Sequence, residues 1–599
     1  MHGRRFTSLV AAALVLFLMP MTARCQTAAP AAAERLAPAD EWVPPQAFAV
    51  LSVPKPKALL DWSLRPQMIQ AVTSSPLYKA ASASPKFREL QTGIDMIEKR
   101  FSADWQTLVR RFTEGGATLA VGPDKTSLLI LDARDAQAAN DLHELVLQLA
   151  RGGAADKGQA DPVTSSQEGD VTVWIVGGQQ THAVIGKRLV FADRPAVMQA
   201  VLSTRSGDAQ ASIAGSAEYK AARQAAGDAQ AVLWVNSGLL KLYPPVAQAL
   251  SAESNPLIAL LAAPITDAMK QSTWLALALR VKDDTITLEA LSDGTISPEG
   301  AARFALPAKG GQGPMPNLAV PRRLAAMSLY RDLRGFYAAK DKLFPERTSG
   351  LIFFENMMGI FFTGRDLTEE VLAETGPDIR LVAAEQTYDP EIAVPAVKIP
   401  AFALVLRMKN PKRFSLVMEE AWQKALGLIN FTRGQQALPG LIIDRVEHKG
   451  VKYTVASFAP APAKERAAAE MRFNFRPALA AAGEFIILSS TAQLAEDIMD
   501  ALAKEASAAA KPLAQAHSLL EVEGAQLASI LAANRETLVR QNMVNKGNTK
   551  EQAEGEVGVL LDLLKVLGGA RLEIGAVEGK FLARLQVRVS LPPAQTGEK

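Results

Sequence analysis

The sequence has almost no cysteine and little histidine. Cys25 is the only cysteine among 599 residues, and there are five histidines. One cysteine cannot form an internal disulfide, so stability must come from large apolar cores. Hydrophobic residues make up 48% of the chain and charged residues 21%, which excludes a mainly disordered protein. At about 150 residues per domain, the length predicts two or more domains.

Neither sign of charge dominates. The chain has 65 Lys and Arg against 62 Asp and Glu, but residues 1–25 contain three arginines and no acid. A chain without that segment carries 62 charges of each sign, and its basic residues are interspersed with acidic ones. We therefore expect no nucleic-acid partner.

The common catalytic and ligand-binding motifs are missing as well. The chain has no G-x-S-x-G, no Walker A sequence and no G-x-G-x-x-G. His143 and the glutamate after it begin like a zinc-protease helix, but Leu147 stands where that motif needs its second histidine. Ser52 and Lys55 match S-x-x-K, but Pro54 opposes the helix that would join them. The sequence predicts no catalytic residue, cofactor or metal site, and it favours a protein that is not an enzyme.

Residues 1–25 are predicted to be a secretory signal peptide. A positively charged start precedes an apolar run at 9–19 that is too short to cross a bilayer comfortably. Two alternatives stay open: a lipid anchor on Cys25, and an uncleaved N-terminal anchor. A flexible Ala/Pro/Thr-rich segment is expected at 26–41. We expect an exported protein of the periplasm or cell envelope, or a secreted one, with no transmembrane span after cleavage.

The order of apolar segments predicts an internal duplication. Segments within residues 42–305 recur in the same order within 323–592, and a Pro/Gly-rich linker at 306–322 separates them. The longest ungapped match places 103–121 over 365–383. Shared order in one register is harder to obtain by chance than shared composition.

Short connections predict the kind of sheet in each copy. A two-residue turn such as Lys449-Gly450 pairs only antiparallel neighbours. Helices follow strands, and Asp135 and Asn410 are the expected N-caps at equivalent places. The predicted fold class is α+β, with two tandem related copies. Each copy is expected to be a mainly antiparallel sheet packed with helices on one side, and a tail follows at 593–599.

One segment departs from this ordinary pattern. Residues 351–362 contain four phenylalanines and two methionines, and the corresponding part of the first copy is far more polar. A buried core helix is the usual origin of such a run. The alternative is an apolar binding patch, for which large Phe and adaptable Met side chains are suited. The candidate patch consists of Phe353, Phe354, Met357, Met358, Phe361 and Phe362.

The layout resembles a family of exported bacterial proteins defined only as a domain of unknown function. The likeness is carried by a Val-Pro-led strand at 43–53, an apolar strand ending LILDARD at 129–135, and the strand and helix LVFADRPAVMQAVL at 189–202. It covers most of both copies and implies no activity or site residue.

Composition, export and the missing motifs together favour one function class. The leading expectation is a non-enzymatic protein that binds or scaffolds, with an envelope protein or an apolar ligand as its partner. A carrier or chaperone for an apolar ligand such as lipid is the first alternative. A hydrolase whose site is assembled from distant residues is the second.

Overall fold

The structure is a computed structural model, and it describes most of the chain. The described residues are 36–591, apart from 207–210, 252–254, 297–299 and 308–310. The predicted signal peptide at 1–25 and the predicted tail at 593–599 lie outside them, as do residues 26–35 of the predicted flexible segment. Within the described part, no helix is both long enough and apolar enough to span a membrane.

The chain divides into two compact units. Unit 1 extends to residue 250 and also includes 272–294, whereas unit 2 comprises 251–271 and 295–589. The predicted domain boundaries at 42–305, 306–322 and 323–592 stay predictions.

Unit 1 contains one antiparallel sheet. Its strands are β1 Ala49–Val53, β2 Gly116–Val121, β3 Ser127–Asp132, β4 Val163–Glu168, β5 Val171–Val176, β6 Gln180–Ile185, β7 Arg188–Ala192, β8 Ala231–Asn236, β9 Trp274–Lys282 and β10 Thr285–Thr295. Their order across the sheet is β10-β9-β8-β1-β2-β3-β7-β6-β5-β4.

Unit 2 also contains one antiparallel sheet. Its strands are β11 Arg323–Tyr330, β12 Thr375–Ala384, β13 Ala401–Met408, β14 Ile442–His448, β15 Val451–Ser457, β16 Ala478–Ala482, β17 Phe485–Ser489, β18 Ala516–Val522, β19 Leu567–Val577 and β20 Lys580–Val589. Their order is β20-β19-β18-β11-β12-β13-β17-β16-β15-β14. When the strands of each unit are counted along the chain, the two sheets have the same order, and every pairing in both is antiparallel.

Helices occupy equivalent places between the strands of the two units. Those that precede residue 252 are α1 Pro56–Ser63, α2 Pro66–Ser74, α3 Pro76–Ser82, α4 Pro85–Phe101, α5 Trp105–Thr113, α6 Ala136–Ala155, α7 Pro195–Ser206, α8 Ala217–Ala226, α9 Ser237–Lys241 and α10 Pro244–Ser251. Those of unit 2 are α11 Pro256–Gln271, α12 Leu333–Ala338, α13 Lys340–Leu343, α14 Thr348–Phe361, α15 Pro411–Gln435, α16 Ala492–Ser507, α17 Gly524–Ala533, α18 Arg535–Lys546 and α19 Lys550–Val566.

The helices begin where the sequence indicates. The Asp135 side chain accepts a hydrogen bond from the Ala138 N–H, and Asn410 accepts one from the Arg413 N–H, so both predicted N-caps are confirmed. These bonds satisfy backbone donors that the first turn of a helix leaves without a partner. They fix the starts of α6 and α15, each of which follows a strand.

The expectation of helices on one side of each sheet is wrong. In β7, Val190 packs in the same core cluster as α7 and α8, whereas the adjacent Leu189 packs with α5 and α6. In β17, Ile487 faces α16 and Ile486 faces α15. Successive side chains of a strand point to opposite faces, so both sheets are covered by helices on both faces.

A buried arginine fixes one helix of unit 2 to its sheet. Arg331, which follows β11, is 0% exposed, and no carboxylate among the described residues pairs with it. Its guanidinium donates to the carbonyls of Leu260 (2.6 Å) and Leu261 (3.2 Å) on α11. It also donates to the His517 carbonyl (2.9 Å) on β18. Burial lowers the pKa of Arg331 to about 10, well above neutral pH, so the group stays a cation.

The reason α11 needs this donor is Pro264 inside the helix. Proline has no N–H, so the carbonyl four residues earlier loses its helical hydrogen bond. That carbonyl belongs to Leu260, and Arg331 Nε supplies the missing donor. The arginine therefore repairs the interruption in α11 and joins the helix to β11 and β18.

We expect Arg331→Met to destabilise unit 2 by about 3 kcal/mol or more, because several buried carbonyls lose their donor at once. Arg347→Met, at an exposed arginine of the same unit, should change stability by no more than about 0.5 kcal/mol. Urea unfolding followed by circular dichroism measures both. Equal stability of the two variants would contradict the anchoring role.

Candidate functional site

The apolar segment predicted from the sequence forms α14, and this helix lies on the surface of unit 2. None of its residues is buried, so the expectation of a core helix is wrong. Phe353 is 70% exposed and Ile360 is 65% exposed, with Ile352 and Met357 also open to solvent. These four residues recur at helical spacing and define one side of α14, which we call the outward face.

The structure divides the six predicted patch residues between two sides of the helix. Phe353 and Met357 lie on the outward face, and Phe354 is exposed but its ring contacts Tyr337 at a centroid distance of 6.4 Å. Met358, Phe361 and Phe362 are half-buried. Sequence reasoning missed Ile352 and Ile360, although Phe353, Met357 and Ile360 follow the i, i+4 and i+7 spacing of a helical stripe and Ile352 is adjacent to it.

The only charged side chain of α14 points inward. Glu355 Oε1 lies 3.2 Å from Lys340 Nζ. The Tyr337 hydroxyl is also next to Glu355, and burial followed by the Glu355 charge raises the pKa of that tyrosine. A surface helix ordinarily exposes its charges and buries its apolar side. The outward face of α14 is instead apolar and exposed, which is typical of a surface that a partner covers.

A core cluster beneath α14 connects it to α11. Phe304, Phe336 and Phe344 pack together, with Phe336 in ring contact with both others. Leu351 of α14 and Ala259 of α11 pack on the same cluster. The patch predicted from the sequence does not include α11, although three residues of this helix are exposed and apolar: Leu257, Ile258 and Leu261. The apolar run PLIALLAAPI was the available signal.

A pocket of about 320 Å³ lies between α11 and the turn that leads into α14. Its apolar lining includes Ala259, Ala263 and Phe344, whereas Asp267, Lys270 and Arg347 bring charge to the same space. A carrier for a lipid chain needs a cavity lined mostly by apolar side chains, and three charged residues line this one. The pocket is therefore a poorer binding site for an apolar ligand than the outward face.

The histidines that the structure describes do not assemble a catalytic group. His143 Nδ1 on α6 and His182 Nε2 on β6 are 3.0 Å apart, and both residues are buried, with His143 against the Trp174 ring and His182 stacked on Phe191. Burial lowers the pKa of both, and the neighbouring His143 lowers that of His182 further, to about 4. Two neutral imidazoles that share one hydrogen bond are a structural pair in a core.

The remaining candidates for hydrolase chemistry are also buried or separated. His517 Nδ1 and the Ser518 hydroxyl are 2.9 Å apart, but both are enclosed beside Arg331. Ser52 lies on β1, and α1 begins only after Lys55, so no helical turn joins the S-x-x-K pair. Among the described residues, no group of three or more His, Cys, Asp or Glu could hold a metal ion.

Comparisons with known proteins give little. No protein-family model matches the chain, and no curated protein sequence matches it. Among solved structures, crystal forms IV and III of TP0453 are similar to 43% of this chain, covering 81% and 79% of their own. The identities are 11% and 10% and the TM-scores 0.22 and 0.21, and such values carry no argument about fold or function.

Phe353→Ser should leave the stability of unit 2 within about 0.5 kcal/mol of the original chain, because the ring is exposed. Phe336→Ser, in the cluster beneath, should cost about 3 kcal/mol or more. Thermal unfolding of the two variants tests the exposure of α14. A large loss from Phe353→Ser would show that the outward face is in fact packed.

We expect acid to destabilise unit 1 through the histidine pair. The pKa of His182 is about 4 in the folded chain and 6.5 when unperturbed, so the folded state binds fewer protons. Stability from this group is complete above pH 6.5 and falls as the pH drops towards 4, by up to about 3 kcal/mol. His182→Gln should flatten this fall in unfolding measurements across that range. A slope unchanged by His182→Gln would contradict the assignment.

Proposed function

We propose that this chain is an exported protein of the periplasm or cell envelope that acts by binding and not by catalysis. Its binding surface is the outward face of α14, and its partner is an envelope protein with a complementary apolar surface. The observation that carries the proposal is the exposed apolar outward face of α14, which carries no charge because the one charged side chain of the helix, Glu355, pairs with Lys340 elsewhere.

We also propose that the two units arose by tandem duplication of one α+β architecture. Each unit has ten strands in the same order, and all their pairings are antiparallel, which supports this ancestry. The matched helix starts support it as well. Asp104 and Asp366, aligned in the ungapped match, both cap a helical turn by accepting a backbone N–H at 2.7 Å. We further propose that the chain is exported and related to the bacterial proteins of the domain-of-unknown-function family. The predicted signal peptide and the shared strand pattern of the sequence support this.

Surface binding is favoured over the carrier alternative by the lining of the pocket beside α14. Three charged side chains line it, whereas a site for an acyl chain is lined mostly by apolar groups. The hydrolase alternative lacks an exposed cluster of histidine, serine and carboxylate in the described residues. His448 does contact Asp500 at 3.0 Å, but Lys449 binds the same carboxylate at the surface, as in an ordinary ion-pair group.

Affinity capture from the envelope fraction tests the proposal, with proteins and lipids both identified by mass spectrometry. We expect the original chain to retain a stoichiometric protein partner, and a Phe353→Asp, Ile360→Asp double variant to lose it. The matched control is Val544→Asp on α18, at a residue that is 83% exposed, and it should retain the partner.

The outcomes separate the alternatives. A partner that stays bound to the double variant would contradict the role of α14. A specific lipid captured in place of a protein would favour the carrier.

A further inference from the structure

The strand β14 forms one edge of the sheet of unit 2. Among the described residues it pairs only with β15, and five of its seven residues are exposed. An exposed edge strand of this length offers a row of unpaired backbone groups to another strand. Its sequence, IIDRVEH, also places opposite charges two residues apart, at Arg445 and Glu447.

The turn that follows β14 shows which of its backbone groups point outward. Lys449 and Gly450 form a two-residue turn with positive φ at both positions, 48° and 87°, as in a type I′ hairpin. In such a hairpin the flanking residues, His448 and Val451, form a hydrogen-bonded pair, so the N–H and C=O of His448 point towards β15. The backbone groups of successive residues then point alternately towards β15 and away from it. The N–H and C=O groups of Arg445 and Glu447 therefore point away from β15, and so do those of Ile443.

A second copy of the chain can use this edge through a two-fold axis perpendicular to the sheet. Such symmetry places one residue of β14 opposite itself. With Val446 at the axis, Arg445 of each copy lies opposite Glu447 of the other, so two ion pairs form. These are also the residues whose backbone groups point outward, so hydrogen bonds and charge pairs coincide.

Charge disfavours the symmetric registers centred on a charged residue, and among the registers of β14 only the one about Val446 places Arg445 opposite Glu447. Placing Asp444, Arg445 or Glu447 at the axis brings two identical charges face to face, which destabilises a strand pair. The Val446 register has no like pair, and Asp444 then faces His448. The Arg445 side chain is 66% exposed, and its contact with Glu419 in its own chain is long, at 4.0 Å. It is therefore free to meet a new partner.

We propose that β14 is a dimer interface, in which two copies of the chain pair antiparallel about Val446 and join their unit 2 sheets edge to edge. The occupant of the edge is a second copy because the strand's own charges are complementary in one symmetric register. The corresponding edge strand of unit 1, β4, reads VTSSQE and has no such charge pattern. The inference is independent of the outward face of α14.

Charge reversal with rescue tests the proposal on the purified full chain. Arg445→Glu alone and Glu447→Arg alone each turn both ion pairs into repulsive pairs, and should raise the dimer dissociation constant about 10- to 30-fold. The double variant Arg445→Glu, Glu447→Arg restores both pairs and should restore the dimer. Ser165→Glu on β4 is the control, and it should leave the dimer unchanged. Sedimentation velocity over a concentration series measures each, and circular dichroism checks folding.

A disulfide at the axis gives a second readout. The backbone groups of Val446 point towards β15, so two copies of Val446 form a non-hydrogen-bonded pair, with Cα atoms about 4.5 Å apart. That spacing suits a disulfide. In a Cys25→Ser background, Val446→Cys should therefore oxidise to a covalent dimer, and Ser165→Cys should not.

Two results would overturn the proposal. One is an original chain that stays monomeric at its highest soluble concentration, with no covalent dimer from Val446→Cys. The other is a dimer whose dissociation constant is unchanged by both single charge reversals, because the dimer interface would then lie elsewhere.

Discussion

The arrangement of unit 2 depends on the buried cation of Arg331. Pro264 interrupts the hydrogen bonding of α11, and the guanidinium replaces the missing donor while also holding the His517 carbonyl of β18. The helix that it fixes supplies Ala259 to the cluster around Phe336, and Leu351 of α14 packs on that cluster. A charge inside the unit thus determines where an apolar helix is displayed at the surface.

The exposure of the apolar face of α14 is related to the position of its one carboxylate, Glu355. Glu355 pairs with Lys340 on the inner side, so the helix is held by a polar contact there and leaves Phe353 and Ile360 in water. Side chains as exposed as these two contribute little to the folding of the unit. We propose that binding explains their positions, and the proposed function therefore lies on this face and not at the buried histidines.

Local features such as helix caps and strand pairing could be predicted from the sequence. Burial and contacts between distant residues could not. Asp135 and Asn410 cap their helices because capping depends on a few neighbouring residues, and strands joined by turns such as Lys449-Gly450 are antiparallel because so short a connection permits nothing else. The burial of α14 was predicted wrongly, since composition does not reveal that Glu355 finds Lys340 on the inner side. Arg331 supplies the hydrogen bond that Pro264 removes, although the two residues are 67 positions apart. Local sequence patterns do not reveal a relation over that distance.

We propose that the outward face of α14 is open in the isolated chain and covered by a partner in the cell. A cysteine placed at Phe353, with Cys25 replaced by serine, can be labelled with a membrane-impermeant thiol reagent in purified protein and in intact envelopes. We expect fast labelling of the purified chain and strong protection in envelopes, with a cysteine at Val544 labelled equally in both. Equal labelling at Phe353 in the two settings would contradict the claim that a partner covers this face.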